Sequence, residues 1–268
     1  MPPAKSAGPA TSLSATAPCC AVLELRQYTT YPGTRDTLIA LFEREFIESQ
    51  EATGIQLVAQ FRDVNDPDRF VWFRGFADMP ARARALGAFY GGPIWKAHRD
   101  AANATIYDSD NVRLLRPARD GAGFALAGAR RPAQGSVPRA TDFVVVTTYH
   151  FAHPVADEFV RWFDDNLRPV LAHSGSTVLA ELVSEHSENT FPRLPVRTGE
   201  ELFVWVARYD SRRAYDEHLA RLAAEPRWSH ELFGALHQQL AGWPEVVMLE
   251  PTARSRLGHG RGGAARSR

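Results

Sequence analysis

Several side chains have the types and spacing to do chemistry together. His98 titrates near neutral pH in its free form, which makes it a candidate general acid or base. Trp95 precedes it by three residues and Ala102 follows it by four, so on a helix the three share one side. Arg26 and Tyr28 alternate with Leu23 and Leu25, and Trp72, Arg74 and Phe76 occupy alternate positions of a second extended stretch. If these faces meet, they line a mostly apolar site with a few placed donors. Tyr28 would donate a hydrogen bond, and Arg74 with Arg26 would hold an enolate or carboxylate. Trp72, Phe76 and Trp95 would form the walls. The plainer alternatives are a His98 bonded to a neighbouring carbonyl or carboxylate, arginines paired with Glu24 or Asp100, and tryptophans that only pack.

The C-terminal half offers Tyr149 and His230 as substrate contacts, with His150 and His237 nearby in sequence. His98 or His230 could serve as an axial haem ligand, so haem stands as a minor alternative to a cofactor-free site. A resident metal is not expected: HxH, HExxH and clustered carboxylates at ligand spacing are absent. His-Arg-Asp at 98–100 lacks the glycine-rich loop, strand lysine and DFG of a kinase. GHGRGG at 258–263 follows no strand, and no GxSxG elbow occurs.

Composition sets the outer bounds. The chain has 268 residues, 44% hydrophobic and 23% charged, which suits a globular protein with ample core. Lys+Arg and Asp+Glu both number 31, so no basic excess points to nucleic acid. No apolar run reaches the ~18–20 residues of a membrane span. The only two cysteines are adjacent, Cys19-Cys20, which excludes a disulfide scaffold. A cytoplasmic protein acting on a small molecule is expected, with further homo-oligomerisation left open.

The elements that must position the site come in two copies. FVWFRGF at 70–76 matches FVWVARY at 203–209, and Pro93 and Trp95 match Pro226 and Trp228, all at an offset of 133. Upstream, Tyr28 matches Tyr149 and Gly54 matches Gly175 at an offset of 121. The jump of 12 places an insertion within 187–199 of the second copy, where a strand–strand loop is expected. Each copy reads βαββαβ, the ferredoxin-like unit. Thr34 is a candidate N-cap, a second helix starts at Asp78-Met79-Pro80, Pro154 is a candidate first-turn proline, and Gly54 and Gly175 are candidate left-handed helix ends. The organisation expected is a tail at 1–20, a first domain at 21–117, a linker at 118–141, a second domain at 142–251 and an Arg/Gly-rich tail at 252–268. One unit leaves a sheet face bare, so the two copies should close into a single α+β barrel with helices outside.

LRQYTTYPGTRD at 25–36, DVNDPDRFVWFRGFADMPARA at 63–83 and PIWKAHRDAANATIYDSDNVRLLRP at 93–117 resemble the NIPSNAP domain of the dimeric α/β-barrel superfamily. The second copy resembles it as a diverged version, with WKAHRD replaced by WSHELF. The resemblance implies a barrel that hosts cofactor-free oxygenases, isomerases, lyases, haem enzymes and plain binding proteins. Taken with the candidate residues, it leads to an expected cofactor-independent acid–base enzyme for a small aromatic or polyketide-like metabolite. A non-catalytic binding or scaffold protein is the alternative.

Overall fold

The computed structural model describes residues 19–137 and 142–257. The chain runs β1 (Val22–Thr30), α1 (Arg35–Leu41), α2 (Ile47–Glu51), β2 (Gln56–Asp63), β3 (Arg69–Phe76), α3 (Met79–Gly91), α4 (Pro93–Asn103), β4 (Ile106–Asp108) and β5 (Val112–Pro117). The second copy follows with β6 (Phe143–Phe151), α5 (Asp157–Trp162), α6 (Arg168–His173), β7 (Thr177–Ser184), β8 (Glu201–Tyr209), α7 (Arg212–Ala224), α8 (Phe233–His237) and β9 (Glu245–Pro251). Five-residue π turns at Phe42–Phe46 and Phe163–Leu167 join α1 to α2 and α5 to α6, and a third at Trp228–Leu232 precedes α8.

The strands form a closed antiparallel barrel in the order β3-β2-β9-β6-β8-β7-β5-β1, with β1 returning to β3 and β4 added beside β1. The two copies meet where β2 pairs β9 and β5 pairs β7. Their internal registers coincide: Tyr28 faces Phe70 across β1–β3 as Tyr149 faces Phe203 across β6–β8. Alternation sends Leu23, Leu25, Val71 and Phe73 inward, to meet Phe61, Val144, Val146, Leu202 and Val204. The barrel interior is therefore a packed apolar core. The outer face of each copy carries its own core under its own helices. Gly54 and Gly175 end their helices at φ +92° and +108°, the left-handed conformation expected of them.

Local details differ from the sequence expectations. Helix α5 begins at Asp157, three residues beyond Pro154. Asp78 caps α3 by accepting from the Ala81 amide, whereas Thr34 holds the N-cap position of α1 without a side-chain capping bond, its hydroxyl donating to the carbonyls of Tyr31 and Thr105. The short strand β4 was not foreseen. Cys19 and Cys20 are packed on the barrel core, joined to each other by a disulfide, and not part of a loose tail. Residues 252–255, expected as tail, are buried, with Arg254 bonded to the Glu43 and Pro132 carbonyls. The linker likewise contributes Phe124 to the barrel core, edge-on to Phe73. Composition hid these contacts because Gly, Ala and Arg dominate both segments while single residues do the packing. The remainder of the two tails, and 138–141, lie outside the described residues.

Candidate functional site

A cavity of about 100 Å³ lies between the outer face of the first copy's sheet and its helices. Tyr28 on β1 and Phe70 and Trp72 on β3 form its floor, and Phe42, Phe46 and Gln50 line it from the π turn and α2. Phe89, Tyr90 and Trp95 come from α3 and α4. The wider turn at Phe42–Phe46 sets both phenylalanines toward the sheet, where Phe42 meets Trp72 edge-on at 4.9 Å. Leu194, from the inserted segment of the second copy, completes the lining.

Beside this floor, on the same outer face of β1 and β3, sits a buried charge cluster. Glu24, fully enclosed, accepts from Arg26 Nη1 at 2.6 Å, Arg74 Nε at 2.7 Å and Arg82 Nε at 2.6 Å. All four side chains are 0–1% exposed. Burial alone would push the Glu24 carboxyl up, but the guanidiniums of Arg74, Arg26 and Arg82 outweigh it and hold it well below the usual range. One carboxylate against three guanidiniums leaves two positive charges in excess. The cluster reaches the cavity through two lining residues. Arg26 Nε donates to the Tyr28 hydroxyl at 2.9 Å, and Arg74 Nη1 donates to Gln50 Oε1 at 3.1 Å.

Three features make this surface ready for an anion. Burial raises the Tyr28 phenol above its ordinary pKa despite Arg26, so it stays protonated at neutral pH. Its oxygen accepts from Arg26, which leaves its proton to donate; among the described residues it donates to no protein acceptor. Trp72 Nε1 is buried without a partner, as are Nη2 of Arg74 and of Arg82. Both Arg26 and Arg74 lie against the Trp72 ring, 5.4 and 5.1 Å from its centre, which makes the indole N–H a stronger donor.

The second copy has the same frame without the charges. Register places Val145 at the position of Glu24, Thr147 at Arg26, Ala207 at Arg74 and Trp205 at Trp72. The shared π turns and helix caps place Leu171 at Gln50 and Tyr215 at Arg82. The fold therefore closes without this cluster.

Tyr28, Trp72 and Trp95 line the cavity together, with Arg26 and Arg74 behind them. Phe76 lies 5.6 Å from the Arg74 guanidinium and packs in the core. His98 does not line the cavity: it is 31% exposed on α4, with Nε2 3.5 Å from Glu45. His98 shares the inward side of that helix with Trp95 and Ala102, as its spacing predicts, but its ring stops against the outer edge of Phe46 at 6.4 Å. Tyr149 packs against Phe159 and Phe203 in the second copy's core, its phenol pushed up by burial. His230 is exposed on the third π turn, away from the cavity. Of the two partners considered for the arginines, Glu24 is the one they use; Asp100 is exposed beside Arg99. Gln50, Arg82 and Leu194 are the residues the sequence reading missed.

Haem does not fit this site. The cavity is far smaller than a porphyrin, and neither His98 nor His230 lines it. Among the described residues, no three His, Cys, Asp or Glu cluster to hold a metal, and no helix is long and apolar enough to cross a membrane.

No family profile matches the sequence, and no curated protein does. Solved structures match along nearly the whole chain. A provisionally assigned monooxygenase from Lactobacillus acidophilus aligns over 89% of this chain and 97% of its own, at 12% identity and a TM-score of 0.51. An anthrone oxidase-like protein aligns over 88% and 95%, at 14% identity and the same TM-score. A NIPSNAP family protein from Agrobacterium tumefaciens covers 36% of this chain and 91% of its own, at 24% identity and a TM-score of 0.34. The chain thus carries, in one polypeptide, the tandem α+β barrel of the dimeric α/β-barrel type, full-length in its likeness to the first two.

Proposed function

We propose that the first copy is a small-molecule enzyme whose chemistry runs through a resonance-stabilised oxyanion of the substrate, an enolate or phenolate. The observation that carries this reading is the buried excess of two positive charges beside an aromatic cavity, with the Tyr28 hydroxyl and the unpartnered Trp72 Nε1–H in its lining as donors. Preorganised donors in a water-excluded site are worth several kcal/mol to a developing anion; loss of one such donor costs about 2.7–4 kcal/mol. Tyr28 O–H and Trp72 Nε1–H would contact the oxygen, and the field of Arg26 and Arg74 would lower the substrate's pKa on binding.

No neutral-pH base lines the cavity among the described residues. Glu24 is held ionised by three arginines, Tyr28 holds its proton, and His98 lies off the cavity. The substrate therefore supplies its own acidity and ionises as it enters, its proton leaving to solvent water. Such an anion is electron-rich enough to react with dioxygen, or to reprotonate at another carbon, without a resident redox group. The names borne by the full-length structural neighbours favour the oxygenase outcome. A scaffold role gains no comparable support, since a scaffold needs neither the cavity nor the uncompensated charge.

The test compares 4-nitrophenol with its neutral methyl ether by difference absorbance, followed by oxygen uptake with acidic phenols and enols. The phenol should bind at least about tenfold tighter, the worth of one charge-assisted hydrogen bond, and absorb as the phenolate below its solution pKa. Equal binding of the ether, or a bound phenol that stays neutral, overturns the reading.

A further inference from the structure

The insertion at 187–199 is the largest length difference between the two copies, and it belongs to the copy without the charge cluster. It nevertheless reaches the charged copy. Asn189 Oδ1 and Thr190 Oγ1 both accept from Arg82 Nη1, at 2.9 and 3.3 Å. Thr190 Oγ1 also donates to the Met79 carbonyl at the start of α3. Asn189 folds the segment on itself, accepting from the Phe191 amide at 3.0 Å and donating to the Leu194 carbonyl at 2.9 Å. Phe191 then stacks on Tyr90 at 5.8 Å, and Leu194 enters the cavity lining.

Resting on the reading above, we infer that this insertion is the size-specificity element of the site. Leu194, held by Asn189 and backed by Phe191, restricts the substrate to a single-ring acidic phenol or enol. The dimensions carry the inference. A cavity of about 100 Å³ accommodates one ring. The floor and side walls are buried sheet and helix residues locked among other rings: Trp72 touches Tyr28, Phe42 and Phe70. Leu194 is only partly buried and comes from a segment without helix or strand, so it is the wall whose replacement changes volume without repacking a core. The same segment touches Arg82, so size and charge are read by one element.

The test titrates wild type, Leu194→Ala and Leu194→Trp with 4-nitrophenol and with the two-ring 4-nitro-1-naphthol, following the phenolate band. Wild type should prefer the single ring by about tenfold or more, the discrimination that one to a few misfit carbons produce. Leu194→Ala should bring the two probes to near-equal affinity by admitting the larger one. Leu194→Trp should abolish binding of both while leaving the thermal transition in place. Equal affinities in wild type, or an unchanged preference in a folded Leu194→Ala with binding retained in Leu194→Trp, overturns the size role and leaves the oxyanion reading standing. Failure of wild type to bind 4-nitrophenol as its phenolate overturns both.

Discussion

Replacing Glu24 by Gln keeps the shape of the side chain and removes the only negative charge in the cluster. In the wild-type chain that carboxylate receives three charge-assisted bonds of 2.6–2.7 Å, and every partner is at most 1% exposed. After substitution Arg26, Arg74 and Arg82 face one another uncompensated, with burial preventing water from screening them. Breaking a buried ion pair costs about 3–5 kcal/mol, and three partners place this case at the upper end. Against a typical total stability of about 5–15 kcal/mol, that is a large fraction. The midpoint of thermal unfolding should fall by about 10 °C or more, at about 2–4 °C per kcal/mol for a chain of this size. Urea unfolding of both proteins across pH supplies the assay. The folded pKa of Glu24 lies below its ordinary value of 4.5. Its stabilisation is therefore complete above that value and is lost as pH falls through the folded pKa. The gap between wild type and Glu24→Gln should be flat from neutral pH to about 4.5, the ordinary value, and narrow only in stronger acid. A gap under about 1 kcal/mol, the scale of an exposed pair, or one that widens on acidification, refutes the reasoning.

The other predictions probe the site and its surroundings. Trp72→Phe, which removes an unpartnered N–H, should leave stability within about 1 kcal/mol and weaken phenolate binding about 10-fold or more, as measured by titration. His98→Ala should change phenolate binding by less than about threefold, because its contact with Glu45 is a half-exposed pair worth at most ~1 kcal/mol. Glu181, pushed up to about 7 chiefly by burial, with Arg168 and Arg119 opposing, binds its proton more tightly in the folded state. Stability should therefore fall as pH rises from about 4.5 through about 7, and Glu181→Gln should flatten that part of the urea-derived curve. The combined change Glu24→Val, Arg26→Thr, Gln50→Leu, Arg74→Ala and Arg82→Tyr copies the second half's residues into the first. It should fold with a stability within about 2 kcal/mol of wild type and bind no phenolate, since a buried ion cluster replaced as a unit is near neutral.

The architecture was legible because it is written in repeats and periodicity. The match of 70–76 to 203–209 gave the duplication, and alternation assigned Arg26, Tyr28, Trp72 and Arg74 to the outer face, where they are. The site was legible only in part. Glu24 lies two residues from Arg26 on the same face, so its pairing could be raised but not decided without knowing how β1 and β3 register. Arg82 and Gln50 come from helices whose rotation a hydrophobic pattern fixes too coarsely to choose one polar residue. Leu194 was beyond reach: its segment has no periodicity, and its contact joins the two copies. His98 attracted attention by chemical type and does lie on the side of Trp95 and Ala102, yet Phe46 stands between it and the cavity they line.

Duplication explains how such a site persists. Burying charge costs several kcal/mol per ion unless it is paired, and the first copy buries three arginines that share one carboxylate. The second copy shows the cheaper solution on the same scaffold, with Val145, Thr147 and Ala207 where the ions would be. Its strands also close the barrel around the first copy through β9 against β2 and β7 against β5. One copy supplies folding free energy and the cavity's Leu194 wall, and the other is free to hold an electrostatically unbalanced cluster beside the cavity. The asymmetry is then a division of labour, and it predicts that loss of the charge cluster should make the chain no less foldable while removing its one evident reason to keep a cavity there.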